Sequence, residues 1–367
     1  PMIQIETIGA GGGSIASVDA SGMLQVGPES AGSIPGPACY GRGNTRPTVT
    51  DANVLLGRIA ADRPLGGGLL AAMDAQKSRD AIETHVAQPL GLDVMAAAEA
   101  ILTVANAKMA GAVRVVSIER GHDPRQFAYM PFGGGGALHV CAMMREVGVG
   151  TGIVPRYPGV TSALGCVMAD MRHDAVQTLN KPLVDLDVAD LRQRVATLAA
   201  TCQQRLDSAG VKFVEVQEII ALDMLYAGQT HTVQVPVAAD ALSHEGIRAA
   251  FETAYRAAFG RVLDGIAVRV MNLRYARVGV RPKFDLTVLA PQTTTVNLSL
   301  GVQPVFHAGR WWDAARHARL DLPVGTRIDG PAILEQPDTT VWLEPGFSAT
   351  VDPLGNLLVR AGGEGAP

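Results

Sequence analysis

Two runs of glycine are the residues of this chain whose type and spacing point most directly to chemistry. They are Gly9-Ala10-Gly11-Gly12-Gly13, which Ser14 follows, and Gly133-Gly134-Gly135-Gly136. Each run comes after a predicted strand, at Ile3–Ile8 and at Tyr129–Phe132, and each is predicted to lead into a helix. Glycine lets a ligand approach backbone N–H groups, and a helix N-terminus adds partial positive charge there. The runs therefore predict a phosphate or nucleotide site in one shared cleft, the alternative being two tight turns that need small residues for packing.

Neither run fits the two best-known nucleotide motifs. A Walker A loop needs Lys and then Ser or Thr after its last glycine, and neither run is followed by that pair. The dinucleotide fingerprint needs an acidic residue at the end of a following strand, which is also missing at the required distance. If a nucleotide binds here, the site is of another type.

Four other candidates leave two interpretations open. Asp51 lies at a predicted helix start, where it is either a helix cap or a catalytic carboxylate facing the nucleotide cleft. Cys39 is either a packed small side chain or a nucleophile, although no base is evident beside it. His139 follows the second glycine run and either caps and packs, or contacts a ligand. The polar group at 119–123 either lines a cleft or forms an ion pair within a loop.

The elements that must position these residues follow an alternating pattern in the first half of the chain. Predicted helices cover 71–88, 93–116 and 137–147, and predicted short strands cover 127–132 and 152–155, which is typical of an α/β fold. The pattern changes near Asp174. Helices at 186–209 and 245–259, strands at 215–226, 231–237 and 266–280, and short strands after 293 predict an α+β region that is β-rich at its end. We therefore expect two domains, 1–175 and 176–367.

Composition narrows the class of protein. Of 367 residues, 47% are apolar and 18% are charged, so the chain folds around a large core. A net charge of −4 gives no support to nucleic-acid binding. The longest apolar stretch, 94–109, is interrupted by polar residues and no leader pattern opens the chain, so we expect no membrane association and a cytoplasmic protein. Four scattered cysteines without a Cys-x-x-Cys pair predict neither disulfides nor a metal site.

Ten segments together resemble the hydantoinase/5-oxoprolinase A-subunit family. They extend over nearly the whole chain and are long and specific: Ile5–Ala16, Val26–Gly32, Pro35–Gly43, Pro47–Asn53, Val115–Pro124, Phe132–His139, Pro158–Gly165, Tyr226–Gln229, Val270–Arg274 and Gly330–Gln336. The family includes N-methylhydantoinases, 5-oxoprolinases and the β-type subunits of acetone and acetophenone carboxylases.

This resemblance implies an actin-like ATPase fold, with two lobes of the ribonuclease-H type and ATP with Mg²⁺ between them. Gly133–Gly136 would contact the nucleoside, and Gly11–Gly13 with Ser14 would face the phosphates. The implied reaction phosphorylates the carbonyl oxygen of a small cyclic amide, a lactam or hydantoin, whose ring then opens on a B-type partner subunit. The alternatives are a carboxylase β-type subunit that activates a ketone, and a non-catalytic assembly subunit.

The sequence departs from the family pattern in its phosphate loops. Family members carry two loops of the type Asp-Gly-Gly-Thr, and that tetrapeptide does not occur in these 367 residues. We therefore expect the chain to be the second lobe and C-terminal domain of a split or fragmentary subunit, with the Mg²⁺ carboxylates on the N-terminal lobe or a complementing chain. We also expect weak ATP hydrolysis by the chain alone, and exposed apolar surface where that lobe or a partner docks.

Overall fold

The computed structural model describes residues 5–62, 72–292 and 299–362. Its helices and strands, in chain order, are β1 (Ser14–Val18), β2 (Leu24–Ser30), α1 (Val49–Leu55), α2 (Ala75–Ile82), α3 (Gln88–Leu90), α4 (Val94–Val116), β3 (Ala128–Tyr129), α5 (Val140–Val147), β4 (Thr151–Val154), α6 (Thr161–Met168), β5 (Met171–Pro182), α7 (Val188–Ser208), β6 (Glu215–Tyr226), β7 (Val233–Pro236), α8 (His244–Phe259), β8 (Val268–Val280), β9 (Ser299–His307), β10 (Arg310–Ala318), β11 (Arg327–Asp329), β12 (Ala332–Gln336), β13 (Thr339–Leu343), β14 (Phe347–Val351) and β15 (Leu357–Ala361).

The chain divides into two compact units, and the first is discontinuous in sequence. It combines Pro1–Leu164 with Asp285–Pro367, while Gly165–Phe284 forms the second unit. The predicted division after residue 175 therefore differs from the spatial one. A new unit does begin close to that position, but the β-rich end of the chain returns to the first unit because its strands complete the sheets there.

Two sheets and a hairpin make up the β-structure of the first unit. The five-stranded sheet has the order β11-β14-β15-β4-β3, and the four-stranded sheet has the order β13-β12-β10-β9. Strand β15 pairs antiparallel with β4, so that Leu357 lies opposite Val154, and both are almost fully buried. This pairing supplies the ladder partner that the short buried strand β4 requires, which explains why the last residues belong to the first unit.

Helices α2 and α4 of the first unit begin with polar caps. The helix predicted over 71–88 begins at Ala75, the first residue of α2; residue 71 lies outside the described residues. The Asp74 side chain caps α2 by accepting hydrogen bonds from the N–H groups of Gln76 and Lys77. A π-helical segment, Glu83–Ala87, joins α2 to α3, and the helix ends at Gly91 in the left-handed conformation. Asp93 caps α4 in the same way as Asp74 caps α2.

Helix α4 is long and apolar enough to cross a membrane by length and composition alone, which the interrupted apolar stretch at 94–109 did not predict. Over Val94–Arg120 its mean hydropathy is 1.4. One face of α4, with Ala97, Ile101 and Ala105, is buried in a core that also holds Ile82 and Val86. Of the apolar window in this helix, 28% is buried.

The N-terminal glycine run is built differently from the prediction. Residues 5–8 are not in a strand, and the Ile5 side chain is 77% exposed; Ile3 and Gln4 lie outside the described residues. The run leads into β1 of the β1-β2 hairpin and not into a helix. The second run does follow a strand, β3, and leads through the 3-10 helix Gly136–His139 into α5.

The second unit is a four-stranded antiparallel sheet with two helices. The strand order is β5-β8-β6-β7. Helices α7 and α8 contribute Leu191, Phe251 and Tyr255 to a core that also contains Leu222 and Leu273 from the sheet. The predicted strand at 215–226 matches β6, and the predicted hairpin between residues 226 and 231 joins β6 to β7.

Candidate functional site

The two glycine runs line the same cavity in the first unit. Gly12 and Gly13 form one wall, and Gly134 and Gly135 form another, around a volume of about 500 Å³. This volume falls in the range of small-molecule sites in proteins, roughly 300–1,000 Å³. The structure therefore brings together two segments that are more than a hundred residues apart in the chain.

The first run is held by the turn that it makes and by the start of α1. The Ser14 hydroxyl accepts a 2.9 Å hydrogen bond from the Gly11 N–H, and Ser14 N donates to the Gly11 carbonyl. The Gly12 carbonyl accepts from Thr50 N at 2.9 Å. A Cβ atom at Gly12 would lie 2.7 Å from Thr50 Oγ1, so helix α1 packs too closely for any side chain there.

The second run is more open. Gly133 has φ = +82°, a left-handed conformation that favours glycine, and its N–H donates to the Pro158 carbonyl at 2.7 Å. Gly135 is the N-cap of the 3-10 helix that continues into α5, and a Cβ atom placed on it would meet nothing within 4 Å. The first N–H groups of a helix have no partner within that helix, and Gly134 and Gly135 place the start of this one at the cavity wall.

The C-terminal strands supply a wall that the sequence did not predict. Asp338, Thr339 and Thr340, at the turn from β12 into β13, line the cavity. The Thr339 hydroxyl donates to the Gly134 carbonyl at 2.8 Å, and Asp338 Oδ2 accepts from Gly159 N at 2.9 Å. The signal was present, because these residues directly follow Gly330–Gln336, one of the segments that carry the family resemblance.

Asp51 is placed inside the protein and does not line the cavity, contrary to the catalytic interpretation. It is completely buried, and its carboxylate accepts five hydrogen bonds of 2.8–3.0 Å, from the donors Ala38 N, Cys39 N, Thr48 N, Thr48 Oγ1 and Ser78 Oγ. Thr48 is the helix N-cap, and Asp51 is the third helical residue of a capping box. Both carboxylate oxygens are thus bonded to the loop at 38–39, to the start of α1 and to Ser78, which is the arrangement of a helix cap.

Cys39 and the polar group at 119–123 take the simpler of their two interpretations. Cys39 is buried among Val54, Leu138 and Trp342, and burial, followed by the charge of Asp51, raises the pKa of its thiol. A thiol held protonated in this way is a poor nucleophile. The residues at 119–123 lie on an exposed turn, where Asp123 forms a local ion pair with Arg125 at 2.8 Å and Arg120 pairs with the distant Glu6 at 3.4 Å.

A second cavity of about 440 Å³ adjoins the first. The two cavities share Gly12, Val49, Gly135 and His139 as lining residues. The remaining wall of the second cavity includes two further residues of the glycine runs, Gly11 and Gly136. Its other members are Ala10, Val26, Ala105, Met109, Met130, Pro131 and Phe132, with Ser14, Lys108 and Tyr129 as the residues that carry a polar group. Lys108 Nζ donates to the Val26 carbonyl at 2.7 Å.

His139 is the titratable side chain common to both cavities. It is 7% exposed, and its Nδ1 lies 2.7 Å from Asn106 Oδ1 on helix α4. Burial, and after it the positive charge of Arg58, lowers the pKa of His139 to about 4. The imidazole is therefore neutral at pH 7, and with Nδ1–H donated to Asn106 it keeps the lone pair on Nε2.

The described residues do not form a magnesium site at these cavities. Within them, no group of three or more His, Cys, Asp or Glu side chains is placed to hold a metal ion. Asp338, the carboxylate on the described wall of the first cavity, already accepts from Gly159 N and from Gln336 Nε2. Each carboxylate oxygen of Asp338 is thus already hydrogen-bonded within the protein.

Several apolar side chains near these cavities are exposed. Ile118, Phe127, Met130 and Phe132 are each between 48% and 54% exposed, and Met130 and Phe132 also line the second cavity. Apolar groups that are adjacent and exposed are typical of a surface that another chain or segment covers.

Comparison with known proteins identifies relatives along the whole chain. The model of the hydantoinase/oxoprolinase family matches residues 1–175, and that of the hydantoinase/oxoprolinase C-terminal domain matches residues 185–358. Caprolactamase subunit alpha from Pseudomonas jessenii is 36% identical over 364 residues, which are 96% of this chain and 52% of that protein. The acetophenone carboxylase gamma subunit from Aromatoleum aromaticum is 32% identical, over 98% of this chain and 51% of that subunit.

Solved structures give the same picture. The crystal structure of the ATP-dependent caprolactamase from Pseudomonas jessenii matches 99% of this chain and 53% of its own, with a TM-score of 0.76 and 34% identity. A nucleotide-free structure of acetone carboxylase matches 96% of this chain and 52% of its own, with a TM-score of 0.77 and 25% identity. The chain thus spans about half the length of these relatives.

Proposed function

This chain belongs to the hydantoinase/oxoprolinase family, and we propose on that basis that it is part of an ATP-dependent enzyme that phosphorylates the carbonyl oxygen of a cyclic amide. The substrate class is a lactam or a hydantoin. Phosphorylation turns an unreactive amide into one with a good leaving group, so that the ring can then be opened. We propose that ring opening takes place on a B-type partner subunit.

The observation that carries this proposal is the shared cavity of the two glycine runs. Its volume of about 500 Å³ suits a nucleotide. Because glycine has no side chain, the walls that the two runs form consist of backbone atoms. Gly135 lies at the N-terminus of a helix, where N–H groups and the helix dipole attract anionic oxygens. Arg42 lines the same cavity and adds a cationic side chain. The caprolactamase relative is described as ATP-dependent, which supports the nucleotide as the ligand.

The work of this chain in such a reaction is positioning and electrostatic stabilisation. Phosphoryl transfer needs the acceptor oxygen in line with the bond that breaks, and donors placed where negative charge develops. The N–H groups around Gly135 and the Arg42 guanidinium are the donors on the described wall. Mg²⁺, if used, is bound by groups other than the described residues, and we propose that a complementing polypeptide with Asp-Gly-Gly-Thr loops supplies them.

We further propose that the first unit contains the second lobe of an actin-like ATPase. Strand β3, the open glycine run and the helix from Gly136 to Val147 form the strand–glycine–helix turn expected against the nucleoside, and β3 pairs in parallel with β4. The exposed apolar side chains beside the second cavity are then covered by the complementing lobe or by a partner subunit.

A second candidate function, ketone carboxylation, is favoured by one observation. The acetone carboxylase structure has a TM-score of 0.77 with this chain, equal within 0.01 to that of the caprolactamase. The two functions use the same ATP chemistry on different carbonyl compounds. ADP formation measured with a panel of lactams and hydantoins, and separately with ketones plus bicarbonate, distinguishes them.

The proposed function is tested by complementation. We expect the purified chain to form ADP weakly or not at all, and a complementing polypeptide with Asp-Gly-Gly-Thr loops, together with the partner subunit, to restore amide-dependent ADP formation. The Arg42→Gln variant should reduce nucleotide binding, while Arg125→Gln, an exposed arginine paired with Asp123, is the matched control. Robust ATP turnover by the isolated chain would show that the nucleotide site is wrongly placed, and a complemented enzyme indifferent to every amide would refute the substrate class.

A further inference from the structure

We propose that His139 accepts the N–H of the cyclic amide through Nε2 and takes its proton when the carbonyl oxygen is phosphorylated, with the substrate ring in the second cavity and the nucleotide in the first. This inference rests on the proposed function and assigns the substrate-binding cavity and a catalytic residue for that reaction. It follows from the position of His139, from its hydrogen bond to Asn106 and from the chemistry of amides.

The position of His139 is the first argument. His139 lines both cavities, so it lies at the boundary where groups bound in the two would meet. His139 is only 7% exposed, so the surrounding residues hold it in place. Among the described residues, no group forms a hydrogen bond with Nε2. Nε2 is also not one of the fully buried polar atoms that lack a partner, so it retains some accessible surface. Nε2 is thus open to a ligand in the cavities.

The hydrogen bond to Asn106 is the second argument. Asn106 lies on the buried side of helix α4, and its Oδ1 accepts the Nδ1 proton at 2.7 Å. This bond fixes both the tautomer and the orientation of the ring, as the partner of a catalytic histidine does. Burial and the nearby Arg58 keep the ring unprotonated, with a pKa of about 4. A neutral imidazole in this tautomer offers an acceptor and not a donor at Nε2.

The reaction requires such an acceptor. When the amide oxygen attacks the terminal phosphorus of ATP, an O–P bond forms, the bond from that phosphorus to the bridging oxygen breaks, and ADP leaves. The amide nitrogen would then carry a positive charge unless its proton departs. Transfer of the N–H proton to Nε2 leaves an O-phosphorylated imidate whose nitrogen is neutral and whose phosphoryl group keeps its negative charge, together with an imidazolium, which passes the proton to water. The N–H becomes more acidic as the O–P bond forms, so a weak base is sufficient.

Both cavities are lined mostly by apolar surface, and the polar side chains of the first favour the nucleotide there. The first cavity has Arg42, Thr50, Asn53 and Thr339 on its walls, which suit a polar nucleotide. The second is lined by Val26, Met109 and other apolar side chains, which suit the methylene groups of a small ring. With the amide group directed at His139, its oxygen faces the shared boundary of the two cavities.

The chemical test uses substrates that differ only at the amide nitrogen. The chain, labelled with ¹⁵N-histidine, is mixed with ε-caprolactam or with N-methylcaprolactam, and the His139 resonances are assigned by their loss in His139→Gln. We expect the Nε2 resonance to move with the N–H lactam and to stay in place with the N-methyl lactam. Equal shifts with both ligands, or no shift with either, would overturn the assignment.

The kinetic test uses the complemented enzyme. We expect His139→Gln to lower lactam-dependent ADP formation by about 10²-fold or more, the usual cost of losing a general base, with nucleotide binding changed less than about threefold. The matched control is His85→Gln, a partly exposed histidine that lines neither cavity. Unchanged ADP formation in His139→Gln would refute the inference alone, whereas a wild-type enzyme without lactam dependence would refute the proposed function and with it the inference.

Discussion

The two glycine runs share a composition and a cavity, but they need glycine for different reasons. In the first run, added Cβ atoms at Gly12 and Gly13 would lie 2.7 Å and 2.9 Å from the side-chain oxygens of Thr50 and Ser30. In the second, an added Cβ at Gly135 would meet nothing within 4 Å. Glycine in the first run permits close packing of the protein against itself. Glycine in the second leaves space that a ligand can fill.

This difference has a functional meaning. The first run is a rigid wall, held by Ser14, by Thr50 N and, behind them, by the buried Asp51. The second run is an open wall, with the start of a 3-10 helix beside the cavity and His139 at the end of the same helix. We therefore expect substitutions in and behind the first run to affect stability, and substitutions in the second run to affect ligand binding.

The largest expected effect on stability concerns the support of the first run. Asp51→Asn replaces an oxygen that accepts buried N–H and O–H donors by an NH₂ group that cannot accept, so we expect a loss of about 3 kcal/mol in the free energy of unfolding. Urea unfolding measures it. Asp93→Asn, at an exposed helix cap, is the matched control and should cost less than about 1 kcal/mol. Equal small losses at both positions would contradict the structural role of Asp51.

The next effect concerns the histidine beside the second run. The pKa of His139 is lowered from 6.5 to about 4 in the folded protein, so the unfolded chain binds the proton more readily. Its contribution to stability is therefore complete above pH 6.5 and is lost as the pH falls toward 4, by about 2 kcal/mol at pH 5. The pKa of His307 and that of His317 are also lowered, which adds to the loss in the same direction. In the His139→Gln variant, the part of the loss in unfolding free energy between pH 7 and pH 5 that comes from His139 should be missing, as urea unfolding at the two pH values would show. A pH dependence unchanged from that of the wild type would contradict the lowered pKa of His139.

A direct comparison of the two runs comes from the same substitution in each. Gly12→Ala places a methyl group against Thr50, and we expect a loss of about 1–3 kcal/mol in unfolding free energy. Gly135→Ala meets open space and should leave stability within about 0.5 kcal/mol, while it weakens nucleotide binding because its methyl group enters the cavity. Urea unfolding and nucleotide titration measure the two effects. The opposite result, a destabilised Gly135→Ala and a neutral Gly12→Ala, would reverse the comparison.

The smallest expected effect concerns the C-terminal wall. Thr339→Val keeps the shape of the side chain but removes its hydrogen bond to the Gly134 carbonyl, so we expect a loss of about 1 kcal/mol in unfolding free energy. Thr103→Val, at an exposed position of α4 where the hydroxyl only returns to the Glu99 carbonyl, is the control and should be nearly neutral. If both variants unfold alike, the contact between β13 and the second run contributes nothing measurable.

Prediction from the sequence was most accurate for long continuous elements. The helix predicted at 186–209 is α7, whose buried residues Leu191, Val195, Cys202 and Leu206 recur at helical spacing. The strand predicted at 215–226 is β6, although its first five residues are exposed and its last seven are buried, so its burial does not alternate. It failed at Ile5–Ile8, where alternation alone suggested a strand. Those residues have no neighbouring strand in the described structure, and a strand cannot form without one.

The sequence by itself determined the family, the glycine runs and most of the elements, because these depend on local spacing and on long specific motifs. Only the tertiary structure decided that Asp51 is buried behind the wall, that Asp338–Thr340 return to the cavity, and that residues after 285 complete the first unit. It also decided that His139 meets Asn106 between two cavities. Each of these facts depends on segments distant in the chain, and their meeting is set by strand pairing and side-chain packing, which no local pattern records.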